Sequence, residues 1–376
     1  MVSRNMVVYN EQEIHRRIFD LVSLSIKEVI PLMEWSLEGV GRVELPYASR
    51  STPDKLYVFE TSVKLREVEN TEWILKFSLS GNGLLKINGK VHQGIDPYHS
   101  FTFVKSGEHS VRLEVTPRSL FGENPWSITF NYALAAAANW KGISLGIGML
   151  EALKLARNAQ DSLKTELLQA LSKALSLIDI VPTIRQVTAA HALFENLESR
   201  WDRGYITSVY GIPVLLGIYR DVEDPAILEA EVRIEEAYKV FIEDLKNLAD
   251  KYGKTGEVIV FGHAHIDAAW LWPYSETLRK IPRTFANVLA LFEHGYDLSF
   301  AQSSAQYYKW LEEQDKSLFE AVARRVNEKR WIPVGGMWVE PDTNLVSGES
   351  LARQLLYGQL YFKEKFSRIA RIGWLP

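Results

Sequence analysis

Cysteine is missing from all 376 residues. That excludes disulfides, thiolate metal sites and a cysteine nucleophile, and it fits a reducing compartment. Blocks of basic residues are also missing, and the net charge is −4. Phosphate neutralisation, the main source of nucleic-acid affinity, therefore has little to draw on. The mildly basic set Lys363, Lys365, Arg368 and Arg371 reads as a solvated helix edge. Apolar runs are short: the longest of note, Tyr132–Ala138, falls far below the ~20 residues that span a bilayer. The N-terminus, MVSRNMVVYNEQEIHRR, has no apolar core of signal length, and no Asn-x-Ser/Thr acceptor occurs. These absences together predict a cytoplasmic protein with no membrane segment and no nucleic-acid partner.

Aromatic residues are plentiful, with 11 Trp, 16 Tyr and 16 Phe. Core packing is their ordinary use, and flat faces for sugar rings are a second one. Hydrophobic residues at 47% and charged residues at 24% describe a globular chain, whose length suggests two or three domains.

Three zones follow from the patterning. Residues 1–145 open with apolar positions at helical spacing, Ile14, Ile18, Leu21, Val22 and Ile26. They continue with strand-like segments such as KLYVFETSVKL and WSITFNY. Asn88-Gly89 between LLKI and KVHQ is a hairpin signal, and strands about ten residues apart predict a β-sandwich. His92, Asp96, His99 and His109 lack the spacing of a compact metal site and read as turn and surface residues. Residues 146–252 form a helical connecting region, where His191 on an apolar face reads as a packed histidine. Gly142, Gly146 and Gly148 do not follow the order of a dinucleotide-binding loop. Residues 253–376 alternate strand and helix. EVIVFG reads as a buried strand, followed by a helix from about Tyr274 to His294. YDLSFA comes next, then one helix through about Arg330. WIPVGG precedes a helix near Gly348–Phe366, and RIARIGWLP reads as a fourth strand.

Parallel α/β folds place their chemistry just after strand C-termini. His263, His265 and Asp267 follow the first strand of this zone, and Glu340 and Asp342 follow the third. His265 and Asp267 are two residues apart and share a face of an extended segment. An imidazole and a carboxylate so placed are natural ligands for a borderline divalent ion. The acidic groups supply an acid, a base or a nucleophile. Trp270, Trp272 and Trp338 add flat apolar faces that suit sugars. The plainer alternative is that these histidines and acids cap helices at loop ends.

Phe261-Gly-His263-Ala-His265-Ile-Asp267-Ala-Ala-Trp270-Leu-Trp272-Pro273 resembles the opening catalytic motif of glycoside hydrolase family 38, the retaining α-mannosidases. Val334-Gly-Gly-Met-Trp338-Val-Glu340-Pro-Asp342-Thr-Asn344 is similar to that family's nucleophile motif. The segment between them, the closing Ile372-Gly-Trp374-Leu-Pro376, and GLLKINGKVHQGIDPYHSFTF in the first zone are similar as well. The resemblance implies a multidomain protein: an N-terminal β-sandwich, a helical segment, then the first half of a (β/α)-barrel of the seven-stranded glycoside hydrolase type. It implies one divalent ion, zinc before cobalt or another, held by His265, Asp267 and Asp342. Asp342 would also be the nucleophile, Trp270 would pack on the sugar, and His263 would support the ligands from behind. Glu340 takes no role from the resemblance.

The implied substrate is a glycan or oligosaccharide with terminal α-linked mannose. The family's general acid and last metal-binding histidine correspond to positions beyond Pro376. The chain is therefore expected to be an N-terminal portion whose barrel stops after its fourth strand and does not close alone. It would act with a complementing C-terminal polypeptide or as a homo-oligomer. A non-catalytic carbohydrate-binding or assembly subunit is the alternative from another class. A polysaccharide deacetylase-like hydrolase also uses Asp and His on a barrel, but the Trp-Val-Glu-Pro-Asp block argues against it.

Overall fold

The computed structural model describes residues 8–52, 54–119, 121–123, 125–198, 227–254 and 256–375. The sequence feature that organises the N-terminal half is the run SITFNYALAAAA. It forms one long strand buried on both faces. Side chains alternate across a strand. Ala133, Ala135 and Ala137 therefore face one apolar cluster, while Tyr132, Leu134, Ala136 and Ala138 face another.

The first cluster is the interior of a β-sandwich. Its strands are β1 (Ile26–Pro31), β2 (Glu34–Leu37), β3 (Gly41–Glu44), β4 (Tyr47–Arg50), β5 (Tyr57–Leu65), β6 (Glu72–Leu79), β7 (Asn82–Ile87), β8 (Lys90–Ile95), β9 (Phe101–Val104), β10 (Gly107–Thr116) and β11 (Ser127–Ala138). One sheet runs β1-β11-β6-β9 with β4 also on β11; the other runs β3-β2-β5-β10-β7-β8. The pairings are antiparallel, and Trp35, Phe59, Phe77, Phe130 and Leu113 fill the space between the sheets. The Asn88-Gly89 turn joins β7 to β8 with φ of 51° and 76°, the left-handed pair that a two-residue hairpin requires.

The second cluster lies between that sheet and a helical layer: α1 (Glu11–Leu24), α2 (Trp140–Asn158), α3 (Asp161–Leu175), α4 (Ile184–Glu198) and α5 (Ile227–Tyr252). The helical region starts at Trp140, with the Asn139 side chain accepting from Gly142 N at 3.2 Å. Gly142 and Gly146 have a packing use. A Cβ on the first would lie 2.3 Å from Ser25 Oγ, and on the second 2.5 Å from Val22 Cγ2. No helix among the described residues is long and apolar enough to cross a membrane.

His191 on α4 is packed against Phe19, with ring centroids 4.4 Å apart, and burial pulls its pKa down to about 4 from 6.5. The unfolded chain thus takes up a proton more readily than the folded one. The stability tied to neutral His191 is complete above pH 6.5 and is lost as pH falls toward 4, about 3 kcal/mol in all. Unfolding at a series of pH values, wild type against His191→Leu, is expected to show the wild type losing that increment across pH 6.5 to 4 and the variant not.

The C-terminal zone holds β12 (Gly262–His263), α6 (Tyr274–Glu293), β13 (Phe300–Gln302), α7 (Ala305–Gln314), α8 (Lys316–Asn327), β14 (Trp331–Pro333) and α9 (Gly348–Phe366). Its sheet is parallel, in the order β12-β13-β14. Three expectations from sequence are corrected here. The EVIVFG run is not a buried strand: Val258, Ile259 and Val260 are 82–84% exposed, and only Gly262 and His263 enter the ladder. β-branched residues favour a strand but cannot form one without a partner edge and a covering layer. The last segment, 368–375, is not a fourth strand. It is tied down singly, by Gln359 on the backbone of Ala370 and by Gly335 N on Ile372 O at 2.9 Å. The long middle helix is two helices, because Asp315 leaves the helical region and caps α8 through Leu318 N at 3.0 Å.

Helix α6 joins this zone to the sandwich. Gly94 on β8 donates to Asn287 Oδ1 at 2.8 Å, and a Cβ on Gly94 would lie 2.8 Å from the Arg283 backbone. Arg283 donates to Asn82 O at 3.0 Å and pairs with the fully buried Glu276.

Candidate active site

His263 ends β12, and the loop after it carries His265, Asp267, Trp270 and Trp272 and is pinned from beneath. Thr277, buried in the first turn of α6, donates to Ala268 O at 2.6 Å and accepts from Trp272 Nε1 at 3.0 Å. Tyr307, on α7, donates to Ile266 O. Lys280 lies over the Trp272 ring at 4.4 Å, and burial, with Arg283 nearby, pulls its pKa down to about 8.

On this support His265 Nε2 and Asp267 Oδ1 stand 3.3 Å apart, both side chains half-exposed. Two donors on one tetrahedral ion, each bound at about 2.0–2.1 Å, stand about 3.3–3.4 Å apart. The nitrogen–oxygen pair therefore fits, in type and spacing, two positions of a divalent ion. Trp270 is 59% exposed beside them and meets Trp272 edge-on at 5.8 Å. His263 turns elsewhere. Its Nδ1 lies 2.9 Å from Ala301 O, which can only accept, so the ring proton sits on Nδ1. Its buried Nε2 has no hydrogen-bond partner among the described residues, and the ring packs at a tilt of 51° against Trp374, centroids 4.4 Å apart.

The second acidic loop follows β14. Ser304 donates from both its backbone N and its hydroxyl to Glu340. Trp338 Nε1 donates to Gln306 Oε1 at 2.6 Å, and Val339 N donates to Gln354 Oε1 at 2.8 Å. The loop is thereby fixed to the ends of β13 and α7 and to α9. Asp342 at its tip is exposed, and its Oδ1 accepts from Asn344 N at 2.9 Å. Among the described residues no three His, Asp or Glu side chains come close enough to hold an ion together. The structure thus pairs His265 with Asp267 and holds Asp342 on a separate loop.

Reading the sequence missed the residues that support the site. Lys280 and Arg283 share a face of α6 with Glu276, at spacings of four and three, a helical charge pattern that was legible in principle. Asp96 and His99 form a 2.9 Å pair. Burial pushes the Asp96 carboxyl up, but His99 and the backbone N–H groups of Tyr98 and His99 outweigh it and leave it low; His99 is held up by Asp96. His92 instead sits 3.0 Å from Thr102 Oγ1.

Residues 255–376, which hold both motif loops, match the model of the glycosyl hydrolases family 38 N-terminal domain. The relatives agree with the resemblance of the motifs. An "Alpha-mannosidase 2C1" of Mus musculus is 40% identical over 137 residues, 35% of this chain and 13% of that one. An "Alpha-mannosidase" of Saccharomyces cerevisiae (strain ATCC 204508 / S288c) is 44% identical over 116 residues, 31% of this chain and 11% of that one. The Homo sapiens "Alpha-mannosidase 2C1" is 42% identical over 115 residues, with the same shares. The match thus spans roughly an eighth of these relatives' length.

Proposed function

We propose that the chain carries the opening part of a metal-dependent, retaining α-mannosidase that removes terminal α-linked mannose from glycans or oligosaccharides in the cytoplasm. The observation that carries this reading is the 3.3 Å His265–Asp267 pair beside exposed Trp270, inside the segment that matches family 38. The three-stranded sheet is then the start of a seven-stranded (β/α)-barrel. Its open β12 edge and exposed Val258–Val260 would be covered by the remaining strands, in a longer or complementing polypeptide or in a homo-oligomer.

In this reading His265 and Asp267 would hold one divalent ion, zinc before cobalt, and Asp342 would join them from its separate loop as the third ligand. Such an ion supplies Lewis-acid grip on sugar hydroxyls. The Asp342 carboxylate attacks the anomeric carbon, the glycosidic bond breaks as the leaving oxygen departs, and water later hydrolyses the glycosyl ester. Trp270 lies against the apolar face of the sugar, while Thr277 and Tyr307 fix the loop that carries it.

A second reading, carbohydrate binding without turnover, is favoured by the separation of Asp342 from the His265–Asp267 pair. One assay distinguishes them. Hydrolysis of an activated aryl α-mannoside by the chain is expected to be chelator-sensitive and absent with the β-anomer. Mannoside binding without any release of the aryl group would favour the second reading.

A further inference from the structure

Residues of the sandwich and of the C-terminal zone together line an open cleft of ≈ 1970 Å³. Small-ligand pockets ordinarily run to about 300–1,000 Å³, so this space exceeds what one sugar ring occupies. One side is the candidate active site, with Asp267 and Trp270; the facing side is the sandwich, with Tyr98, His99 and Phe121. Three large aromatic side chains stand unusually open along it. Trp270 is 59% exposed, Tyr98 69% and Phe121 58%. The Asp96 side chain braces the Tyr98–His99 turn, accepting from Tyr98 N at 2.7 Å and His99 N at 2.9 Å.

The two sides are also held in register. A Cβ on Gly122, next to Phe121, would lie 2.8 Å from Leu271 O and 3.0 Å from the Trp272 ring, so the sandwich backbone seats directly on the tryptophan turn. Arg118, paired with Asp54 at 2.7 Å, donates to Gly122 O at 2.9 Å and to Leu271 O at 3.4 Å, clamping the contact. Arg279 on α6 adds a bond to Asp54 O at 3.1 Å.

We infer that the sandwich is a wall of the substrate cleft: Tyr98 and Phe121, with His99 beside them, form a subsite for the further sugar rings of a mannose oligosaccharide whose terminal ring lies at Trp270. Aromatic faces take the apolar side of each ring, and the imidazole and phenol at their edges take its hydroxyls. This rests on the mannosidase reading for the terminal ring; the added rings and the sandwich residues are the new content.

The test is the ratio of two affinities, for α-linked mannotriose and for methyl α-mannoside, measured by calorimetry on the whole chain with zinc present. The wild type is expected to favour the trisaccharide, and Tyr98→Ala and Phe121→Ala each to cut that preference by about tenfold, the worth of one ring contact. Both residues are exposed, so folding is expected to survive either change, with unfolding temperature as the check. Equal affinities for the two sugars in the wild type overturn the subsite and leave the terminal-ring site standing. A preference that neither variant alters also overturns it. Binding of neither sugar overturns both readings together.

Discussion

Asp342→Asn is expected to lower kcat/KM for an activated aryl α-mannoside by about 10⁴-fold or more, the range seen when an essential nucleophile is removed. The change is nearly isosteric. An amide oxygen can still accept from Asn344 N, the bond that shapes the tip of this loop. Glu340, Trp338 and Gln354 hold the loop from positions the substitution does not touch. Unfolding temperature should therefore stay close to wild type while turnover disappears. An amide is a far poorer nucleophile than a carboxylate, so residual hydrolysis within tenfold of wild type would mean that another group attacks the sugar.

The second large effect is on stability. Glu276 has no exposed side-chain surface and is paired with Arg283, itself almost fully buried. Arg283→Met leaves a buried carboxylate without its main counter-charge, which costs about 3–5 kcal/mol. It also removes the bond to Asn82 O that ties α6 to the sandwich. Denaturant unfolding should show the single variant strongly destabilised. The double variant Glu276→Leu/Arg283→Met should recover most of the loss, because removing both charges removes the desolvation cost. A single variant within 1 kcal/mol of wild type would mean that water reaches the pair.

What could be read from the sequence was what depends on near neighbours. Asn88-Gly89 specifies its hairpin with two residues, and Ser347, accepting from Ser350 N, starts α9 where its pattern begins. The two motif loops fall after β12 and β14, as strand-then-loop order requires. What could not be read depends on distant partners. Val258–Val260 have the composition of a strand, but composition does not supply a neighbouring edge. His99 pairs with Asp96 three residues before it, and only the fold brings that turn to the edge of the cleft. Whether Asp342 approaches His265 is likewise a matter of long-range closure, invisible to spacing along the chain. The apolar run Tyr132–Ala138 looked only like a short hydrophobic stretch, and its double burial emerges once both neighbouring layers are in place.

That run has a consequence for how the N-terminal half comes apart. A strand with a packed cluster on each face belongs to both layers at once. Peeling away the helices would strip half of β11 bare while its other half still closed the sandwich, an intermediate with a large sticky surface and little gained entropy. The helical layer and the sandwich are therefore coupled as a single cooperative unit, so a lesion in either is felt through the whole N-terminal half.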